Sequence, residues 1–433
     1  MNFISSFFSH GYRSYSSSIV LVHRRSAPRL YGRSSYELLS PFFHHLEVHM
    51  RRTCWRTALV SLLAVLAAGC GGGSSAPTPT PAPSCTPSSE FAYVLSGEVT
   101  PWGNGTISVF TVNSCTGALT PATPATIATG SDPETFAVDP SGRFVYAANL
   151  VSNASDLATI SMYTINSSAG VLTPTTPATV GTGFFPQGIG IDPSGKFVYT
   201  ANSDDNTVSM FTVDSSTGIL TPTTPPVVAA GWSPGSVTVH PSGKFAYVAN
   251  QVDQTVSMYT INSTTGILTP MTPATVPTGQ SPFDVTVDPS GKFAYVPNAY
   301  DFENRVSQYT IDSATGVLTP ATPSAITAGN SPTCVAVDPS SKFAYVVNRQ
   351  DYTVSAYTLD PASGNLSLIG TYAAGAQPWR VTVDPSGKFA YVGNENDNTV
   401  SIYRINGDGS LTSAGTTATP GPAFAISVIS PKQ

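Results

Sequence analysis

The sequence predicts an all-β protein: a seven-bladed β-propeller with four-stranded blades, its ring closed by pairing the C-terminal strand with the N-terminal blade. Three observations predict this fold. An aromatic core recurs along the chain, prolines recur in the fourth strand of most repeats, and the last strand has no blade of its own. Only 10% of the 433 residues are charged, so turn-forming polar residues supply most of the polarity.

The aromatic core is a Phe-x-Tyr pattern that recurs about every 50 residues. It begins at Phe91, Phe144, Phe197, Phe245, Phe293, Phe343 and Phe389. One four-stranded sheet for each repeat of about 45–50 residues is typical of a propeller blade. An open solenoid is the alternative, but solenoids carry distinct capping repeats at their ends.

One repeat shows the four strands of a blade. Segments 236–239, 244–250, 255–261 and 268–276 alternate or form short apolar runs, as strands do. A turn at His240 follows the first strand, and in other repeats the same turn reads Asp-Pro-Ser-Gly, which favours a type I turn. The fourth strand contains prolines, which an outer edge strand tolerates and which discourage edge-to-edge aggregation.

The two chain ends complete one blade together. The first repeat, at Phe91, has no innermost strand before it, whereas segment 423–430 has the character of an innermost strand with no blade after it. Pairing these two segments closes the ring.

The first 88 residues are not expected to belong to the propeller. A positive segment from Met50 to Arg56, an apolar run and the ending Leu-Ala-Ala-Gly-Cys at Cys70 predict a secretory signal that is too short to span a bilayer permanently. The ending resembles a bacterial lipobox, which implies lipidation of Cys70; an ordinary signal peptide is the alternative. The expected organisation is 1–49 upstream of the true start, 50–69 signal peptide, 70–88 flexible Gly/Ser/Pro-rich tether and 89–433 propeller.

Charge and histidine content exclude several classes of function. After Cys70 there are 19 − 8 = 11 basic and 25 − 2 = 23 acidic residues, a net charge of −12, which argues against a nucleic-acid partner. His240 is the only histidine in this part of the chain. We therefore expect no metal site and no cofactor. From the signal segment and Cys70 we expect a protein that is exported and lipid-anchored to the bacterial cell envelope, with the membrane as its partner. We expect it to be a monomer.

The cysteines suggest one disulfide. Cys85 and Cys115 flank the first two predicted strands on the same face, and export would place them in an oxidising compartment. Cys334 lies in a predicted innermost strand and is expected to be a buried free thiol.

Strand order separates the loops onto two faces. The Asp-Pro-Ser-Gly and Asn-Ser-x-Thr-Gly turns share one face, and their near-identity marks them as scaffold. The funnel face carries the hairpin loops, between second and third strands, and the inter-blade loops, which lead into each innermost strand. The repeats diverge there, so packing does not fix these residues. Those expected to bind a ligand are Gln187, Trp232, Phe283, Asp284, Arg349, Trp379, Arg380 and Glu395.

Segments FVYTAN (197–202) and FAYVAN (245–250), followed by DNTVSMFTV and DQTVSMYTI, carry a family resemblance. They resemble the Tyr-Val-Thr-Asn repeat of the seven-bladed lactonase-like propellers, which include 6-phosphogluconolactonases and muconate-cycloisomerising enzymes. The resemblance extends over about 345 residues and implies the same fold. It also suggests hydrolysis of a lactone ester as a candidate activity.

The residues that such an activity would need are not matched. The family has a histidine, an arginine and a hairpin glutamate where this chain has Gln187, Asn206 and Gln251. Arg305 and Glu395 occupy positions of the arginine and glutamate types two blades apart, and Phe283 replaces the histidine.

If this chain is a lactonase, the resemblance makes Arg305, Arg380 and Glu395 the candidate catalytic residues. Three functions follow from the sequence: binding of a small sugar-like ligand or a protein partner on the funnel face, divergent lactone hydrolysis, or a structural or adhesive role.

Overall fold

The computed structural model describes residues 89–97, 103–150, 158–299 and 304–430. These residues form β-strands arranged in seven four-stranded antiparallel sheets, which are the blades. None of the described residues belongs to a helix that is long and apolar enough to cross a membrane. The predicted signal segment, Cys70, the tether and Cys85 lie outside the described residues.

The blades follow one another in chain order. Blade 1 has Ser89–Ser96 (β1), Asn104–Asn113 (β2) and Leu119–Ser131 (β3). Blade 2 has Pro133–Val138 (β4), Phe144–Asn149 (β5), Thr159–Ile165 (β6) and Leu172–Gly181 (β7). Blade 3 has Pro186–Ile191 (β8), Phe197–Asn202 (β9), Thr207–Val213 (β10) and Leu220–Ala229 (β11). Blade 4 has Pro234–Val239 (β12), Phe245–Asn250 (β13), Thr255–Ile261 (β14) and Leu268–Pro277 (β15).

The remaining strands continue the same order. Blade 5 has Thr286–Val287 (β16), Phe293–Pro297 (β17), Arg305–Ile311 (β18) and Leu318–Thr327 (β19). Blade 6 has Pro332–Val337 (β20), Phe343–Asn348 (β21), Thr353–Leu359 (β22) and Leu366–Ala373 (β23). Blade 7 has Pro378–Val383 (β24), Phe389–Asn394 (β25), Thr399–Ile405 (β26) and Leu411–Ala418 (β27). The last strand is Ala423–Ile429 (β28).

The ring closes as the sequence predicts. Strand β28 pairs antiparallel with β1, from Phe91 opposite Ile429 to Ser96 opposite Ala423, and supplies the innermost strand of blade 1. The predicted fold class, the seven blades and the closure are confirmed.

The hydrophobic core lies between the blades. Each of seven clusters of buried apolar side chains joins one blade to the next, and the seventh joins blade 7 to blade 1. Since each blade buries both faces against neighbours, the ring has no terminal blade with an uncovered apolar face.

Tyrosine hydroxyls reinforce each contact between blades. The second-strand Tyr247 donates to the carbonyl oxygen of Gly316, in the turn between the outer strands of blade 5, at 2.7 Å. Equivalent bonds run around the whole ring from Tyr93, Tyr146, Tyr199, Tyr295, Tyr345 and Tyr391. Burial raises the pKa of the Tyr247 hydroxyl above its usual range, so the group stays protonated and remains a donor. The tyrosine of each Phe-x-Tyr core therefore links its blade to the next blade by a hydrogen bond.

The turns on the scaffold face are fixed by their first side chain. Asp192 Oδ1 accepts from the backbone N–H groups of Lys196 and Phe197, each at 2.7 Å, and so ties the turn to the following strand. His240 replaces this aspartate in blade 4. Its Nδ1 lies 3.0 Å from the backbone N–H of Ser242 and its Nε2 lies 2.8 Å from the Gly291 carbonyl. His240 is thus a structural residue on the face opposite the funnel.

The outer strand of blade 2 contains a bulge with a proline in it. In β7 the register moves from Thr179 opposite Ser161 to Pro174 opposite Tyr163, so several residues of β7 oppose a single residue of β6. Pro177 lies within this bulge, where no ladder hydrogen bond is required of it.

Candidate functional site

Two hairpin loops place charged side chains at equivalent positions on the funnel face. Arg349 directly follows the last residue of β21, and Glu395 directly follows the last residue of β25 in the next blade. Asn348, at the end of β21, is buried; its amide donates to Thr353 Oγ1 at 3.0 Å and its oxygen accepts from the Gly329 N–H at 2.9 Å. These bonds fix the start of the hairpin, and so they fix where Arg349 projects.

Arg349 is held by three neighbours from blade 7. Its Nη2 donates to Glu395 Oε2 at 2.5 Å and to Gln377 Oε1 at 2.7 Å. Its guanidinium carbon lies 4.4 Å from the centroid of the Trp379 ring, which is cation–π geometry. The side chains of Arg349 and Glu395 are only 11% and 17% exposed, so water screens this pair weakly.

A second ion pair joins blade 7 to blade 5. Arg380 Nη1 lies 3.2 Å from Asp284 Oδ2, and Asp284 Oδ1 accepts from the N–H of Val285 at 2.9 Å. The rings of Phe283 and Trp379 meet edge to face with centroids 5.0 Å apart. We define the funnel cluster as Phe283, Asp284, Arg349, Gln377, Trp379, Arg380 and Glu395.

The strand that carries Phe283 and Asp284 is interrupted. Blade 5 has an innermost strand of only two residues, and Pro282 forms an isolated bridge with Asn298 before it. The sequence predicts four regular strands for every blade. The difference arises because the facing second strand ends in Pro297, which has no N–H to donate to the ladder.

A cavity of about 190 Å³ lies along the innermost strands and adjoins the funnel cluster. Hydroxyl side chains, the Asp284–Arg380 pair and strand backbone surround it. The Arg380 side chain is 20% exposed, and its guanidinium has five N–H donors. Arg380 can therefore donate hydrogen bonds to a ligand in this cavity.

Cys334 packs beside this charged pair as an inert thiol. It is a buried free cysteine, as the sequence predicts, and its Sγ lies 3.7 Å from the carbonyl oxygen of Val381. Burial, followed by the nearby Asp284 carboxylate, raises the pKa of the thiol to about 12. A thiol with so high a pKa has little thiolate at neutral pH and does not act as a nucleophile.

Three residues of the sequence-based prediction lie apart from the funnel cluster. Gln187 in blade 3 accepts a hydrogen bond from Gln251 in blade 4 at 3.1 Å. Trp232, in the inter-blade loop of blade 4, is 64% exposed. Arg305 begins the third strand of blade 5 with an exposed side chain, whereas the arginine that pairs with Glu395 is Arg349.

The positions at which the family resemblance implies catalytic residues are occupied by neutral amides. Gln187 and Gln251 do lie in contact, which supports the register used to align them. Asn206 has a left-handed backbone with φ 55°, and its side-chain oxygen accepts from the Ser233 N–H at 2.8 Å. An amide does not exchange protons near neutral pH, so this group offers binding but not acid–base catalysis.

Gln377 is the member of the funnel cluster that sequence reasoning missed. It precedes the proline of its inter-blade loop and has a left-handed backbone with φ 49°. The equivalent residues of the three preceding blades are Ser233, Ser281 and Ser331. The replacement of a repeated serine by a long polar residue was the available signal.

Within the described ranges, no group of three or more His, Cys, Asp or Glu side chains is arranged to hold a metal ion. Cys115 is disulfide-bonded, and its partner lies outside the described residues. The pairing with Cys85 stays a prediction.

Comparison with solved structures gives the same architecture. A candidate 6-phosphogluconolactonase of Bacteroides fragilis aligns with a TM-score of 0.66 and 21% identity over 80% of this chain and 100% of its own. A periplasmic gluconolactonase of Pseudomonas aeruginosa aligns with a TM-score of 0.66 and 19% identity over 79% and 99%. At these identities the likeness shows the fold alone. No curated protein matches the sequence significantly.

Comparison with protein families covers almost the whole propeller. The family described as lactonase, 7-bladed beta-propeller matches residues 84–182, 151–232, 222–337 and 319–427. These matches follow the repeats around the ring, and together they include the hairpin and inter-blade loops that carry the funnel cluster. This chain therefore belongs to the seven-bladed β-propeller lactonase family.

Proposed function

We propose that the protein binds a small polar, sugar-like ligand at the funnel cluster. The observation that carries this proposal is the arrangement around Trp379, where one arginine is held against the indole ring by Glu395 and Gln377. A few fixed polar groups beside aromatic surface are the usual composition of a small-molecule site. Such a site binds with little loss of side-chain entropy because its groups are already held in place.

Binding should depend on the funnel cluster and not on the neighbouring aromatic surface. We expect Trp379→Ala to weaken the affinity for a bound sugar by about tenfold or more, since it removes both the stacking surface and the support of Arg349. Trp232→Ala is the matched control, because it removes an exposed tryptophan from the same face in blade 4. Isothermal titration calorimetry against monosaccharides, sugar acids and lactones measures both. Equal losses in the two variants would contradict a site confined to the funnel cluster.

Hydrolysis of a lactone is the second candidate, and family membership favours it. Arg380 could polarise the ester carbonyl, and Glu395 could serve as the general base. Both groups are engaged in ion pairs, and general acid–base assistance typically contributes about 10²–10⁴-fold. We therefore expect weak or absent turnover. A panel of sugar and aliphatic lactones tests this; robust hydrolysis that Arg380→Ala or Glu395→Gln abolishes would establish a relocated catalytic centre.

We also propose that the propeller acts outside the cytoplasm, tethered to the cell envelope through lipid on Cys70. The proposal rests on the lipobox-like ending and on the tether that follows it. Intact-mass analysis of the native protein should find Cys70 as a lipid-modified N-terminus. Retention of residues 1–69 would contradict it.

A further inference from the structure

The funnel face holds few cations, and lysine is absent from its described part. Lysines of the described residues directly follow the Asp-Pro-Ser-Gly type of turn on the scaffold face, at Lys196, Lys244, Lys292, Lys342 and Lys388. Arg143 takes the same place in blade 2, and Arg404 reaches the carbonyl oxygen of Cys115 on that face. The described cations of the funnel face are therefore Arg305, Arg349 and Arg380.

Both arginines of the funnel cluster are matched by a carboxylate. Glu395 lies against Arg349 and Asp284 lies against Arg380, so these four groups have no net charge. The chain after Cys70 carries 11 − 23 = −12 charges, so its long-range field also disfavours an anion.

A phosphate or carboxylate ligand needs a cation that is free to pair with it. Recognition of such groups typically uses an arginine fork or a lysine whose charge is not already compensated. Insertion of an anion beside Glu395 and Asp284 would add a like charge at partly buried carboxylates, which is costly. The funnel cluster should therefore bind anionic ligands weakly.

The polar groups of the cavity favour a neutral hydroxylated ligand. Arg380 borders the cavity of about 190 Å³, its side chain is 20% exposed, and its guanidinium can only donate hydrogen bonds. Asp284 borders the same cavity, and its carboxylate can only accept them. A hydroxyl group satisfies both residues, and the volume of the cavity lies below the roughly 300–1,000 Å³ of ordinary ligand pockets.

We propose that the ligand is an uncharged polyhydroxy compound of about monosaccharide size, neither phosphorylated nor carboxylated. Its hydroxyl groups accept from the Arg380 guanidinium and donate to the Asp284 carboxylate in the cavity that these two residues border. This inference rests on the proposed binding function and specifies which sugars that site accepts.

The test compares matched trios with the full chain purified in detergent. Each trio is a neutral hexose, its 6-phosphate and its aldonic acid, for glucose, galactose and mannose, measured by isothermal titration calorimetry. For at least one hexose, we expect the neutral member to bind about tenfold or more tightly than either anionic member. A phosphate or acid that binds as tightly as the neutral sugar, or more tightly, would overturn the inference and leave the proposed site intact. Absence of binding by every member would refute both.

Two variants test whether binding of the neutral hexose depends on the residues of the cavity. Arg380→Lys should weaken binding of the neutral hexose about fivefold or more, because it keeps the positive charge beside Asp284 but removes the guanidinium donors. Arg305→Lys is its matched control: Arg305 is an exposed arginine of the same face outside the funnel cluster, and its replacement should leave the affinity unchanged. Equal affinities in the two variants would contradict the cavity assignment.

Glu395→Gln should reduce the discrimination against the 6-phosphate, because it removes the charge that compensates Arg349. The melting temperature of each variant, compared with that of the wild type, checks that folding is intact. Unchanged discrimination in a folded Glu395→Gln protein would contradict the argument from compensated charge.

Discussion

Deletion of residues 423–433 should cost most of the stability of the propeller. Strand β28 forms the inner edge of blade 1, and Phe424, Ile426 and Val428 are buried. At about 1.5–3 kcal/mol for each large apolar side chain, their loss alone amounts to about 4.5–9 kcal/mol. Domains are typically stable by only about 5–15 kcal/mol, so the truncated protein should be close to unfolding.

The loss should exceed this sum, because the deletion also uncovers the partners of β28. Ile426 and Val428 pack with buried side chains of blades 1 and 7 in one cluster, and the backbone groups of β1 lose their ladder. Thermal and urea unfolding measure the effect, with deletion of residues 431–433 alone as the control. We expect the melting temperature to fall by roughly 10 °C or more. Unchanged melting in the longer deletion would show that β28 does not close the ring.

Three further predictions concern the turn glycines and the cysteines. Gly117→Ala should cost about 1–3 kcal/mol in urea unfolding, because its φ is 76° and a Cβ would lie 2.5 Å from the aromatic ring packed against it. Gly407→Ala, at a position with open space around it, should cost far less; equal costs would contradict the argument. Burial raises the pKa of the Cys334 thiol from 9.0 to about 12, so this thiol should resist alkylation at pH 8 until the protein unfolds. Because the folded protein keeps the thiol protonated, the free energy of unfolding should fall as the pH rises above about 9. Rapid alkylation of the folded protein would refute the burial of this thiol. Non-reducing peptide mapping should find Cys85 linked to Cys115, and detection of both as alkylatable thiols would exclude the link.

The fold was predictable because each blade repeats the same local pattern. Alternation in segments such as 244–250 and 255–261 predicts the strands, and β13 and β14 are found at Phe245–Asn250 and Thr255–Ile261. The turn chemistry and the edge prolines agree with this pattern, so local and global preferences coincide. The closure followed from counting strands at the two chain ends.

The funnel cluster was predictable only in part. Divergence among repeats identified Arg349, Trp379 and Glu395 as candidates, because packing does not hold these loops to one sequence. It did not indicate that Arg349 would pair with Glu395, since that contact depends on the curvature of the ring and on the reach of two long side chains. The interruption of blade 5 at Asp284 was also missed, although Pro297 stands at the second-strand position where the other repeats have Leu, Ala, Val or Gly.

Equivalent positions around the ring explain how a family member can lose one site and retain another. Gln187 and Trp379 both follow the proline of an inter-blade loop, and Gln251, Arg349 and Glu395 all follow the last residue of a second strand. At each junction between blades, the backbone therefore directs two side chains toward the funnel face, one from the inter-blade loop and one from the hairpin loop. A substitution at one junction leaves the side chains of the other junctions unaffected. At blades 3 and 4 these side chains end in neutral amides that bond to each other. At blades 6 and 7 they carry an aromatic ring and a compensated ion pair. Family membership thus determines where side chains can converge, and the residues at each junction determine what they bind.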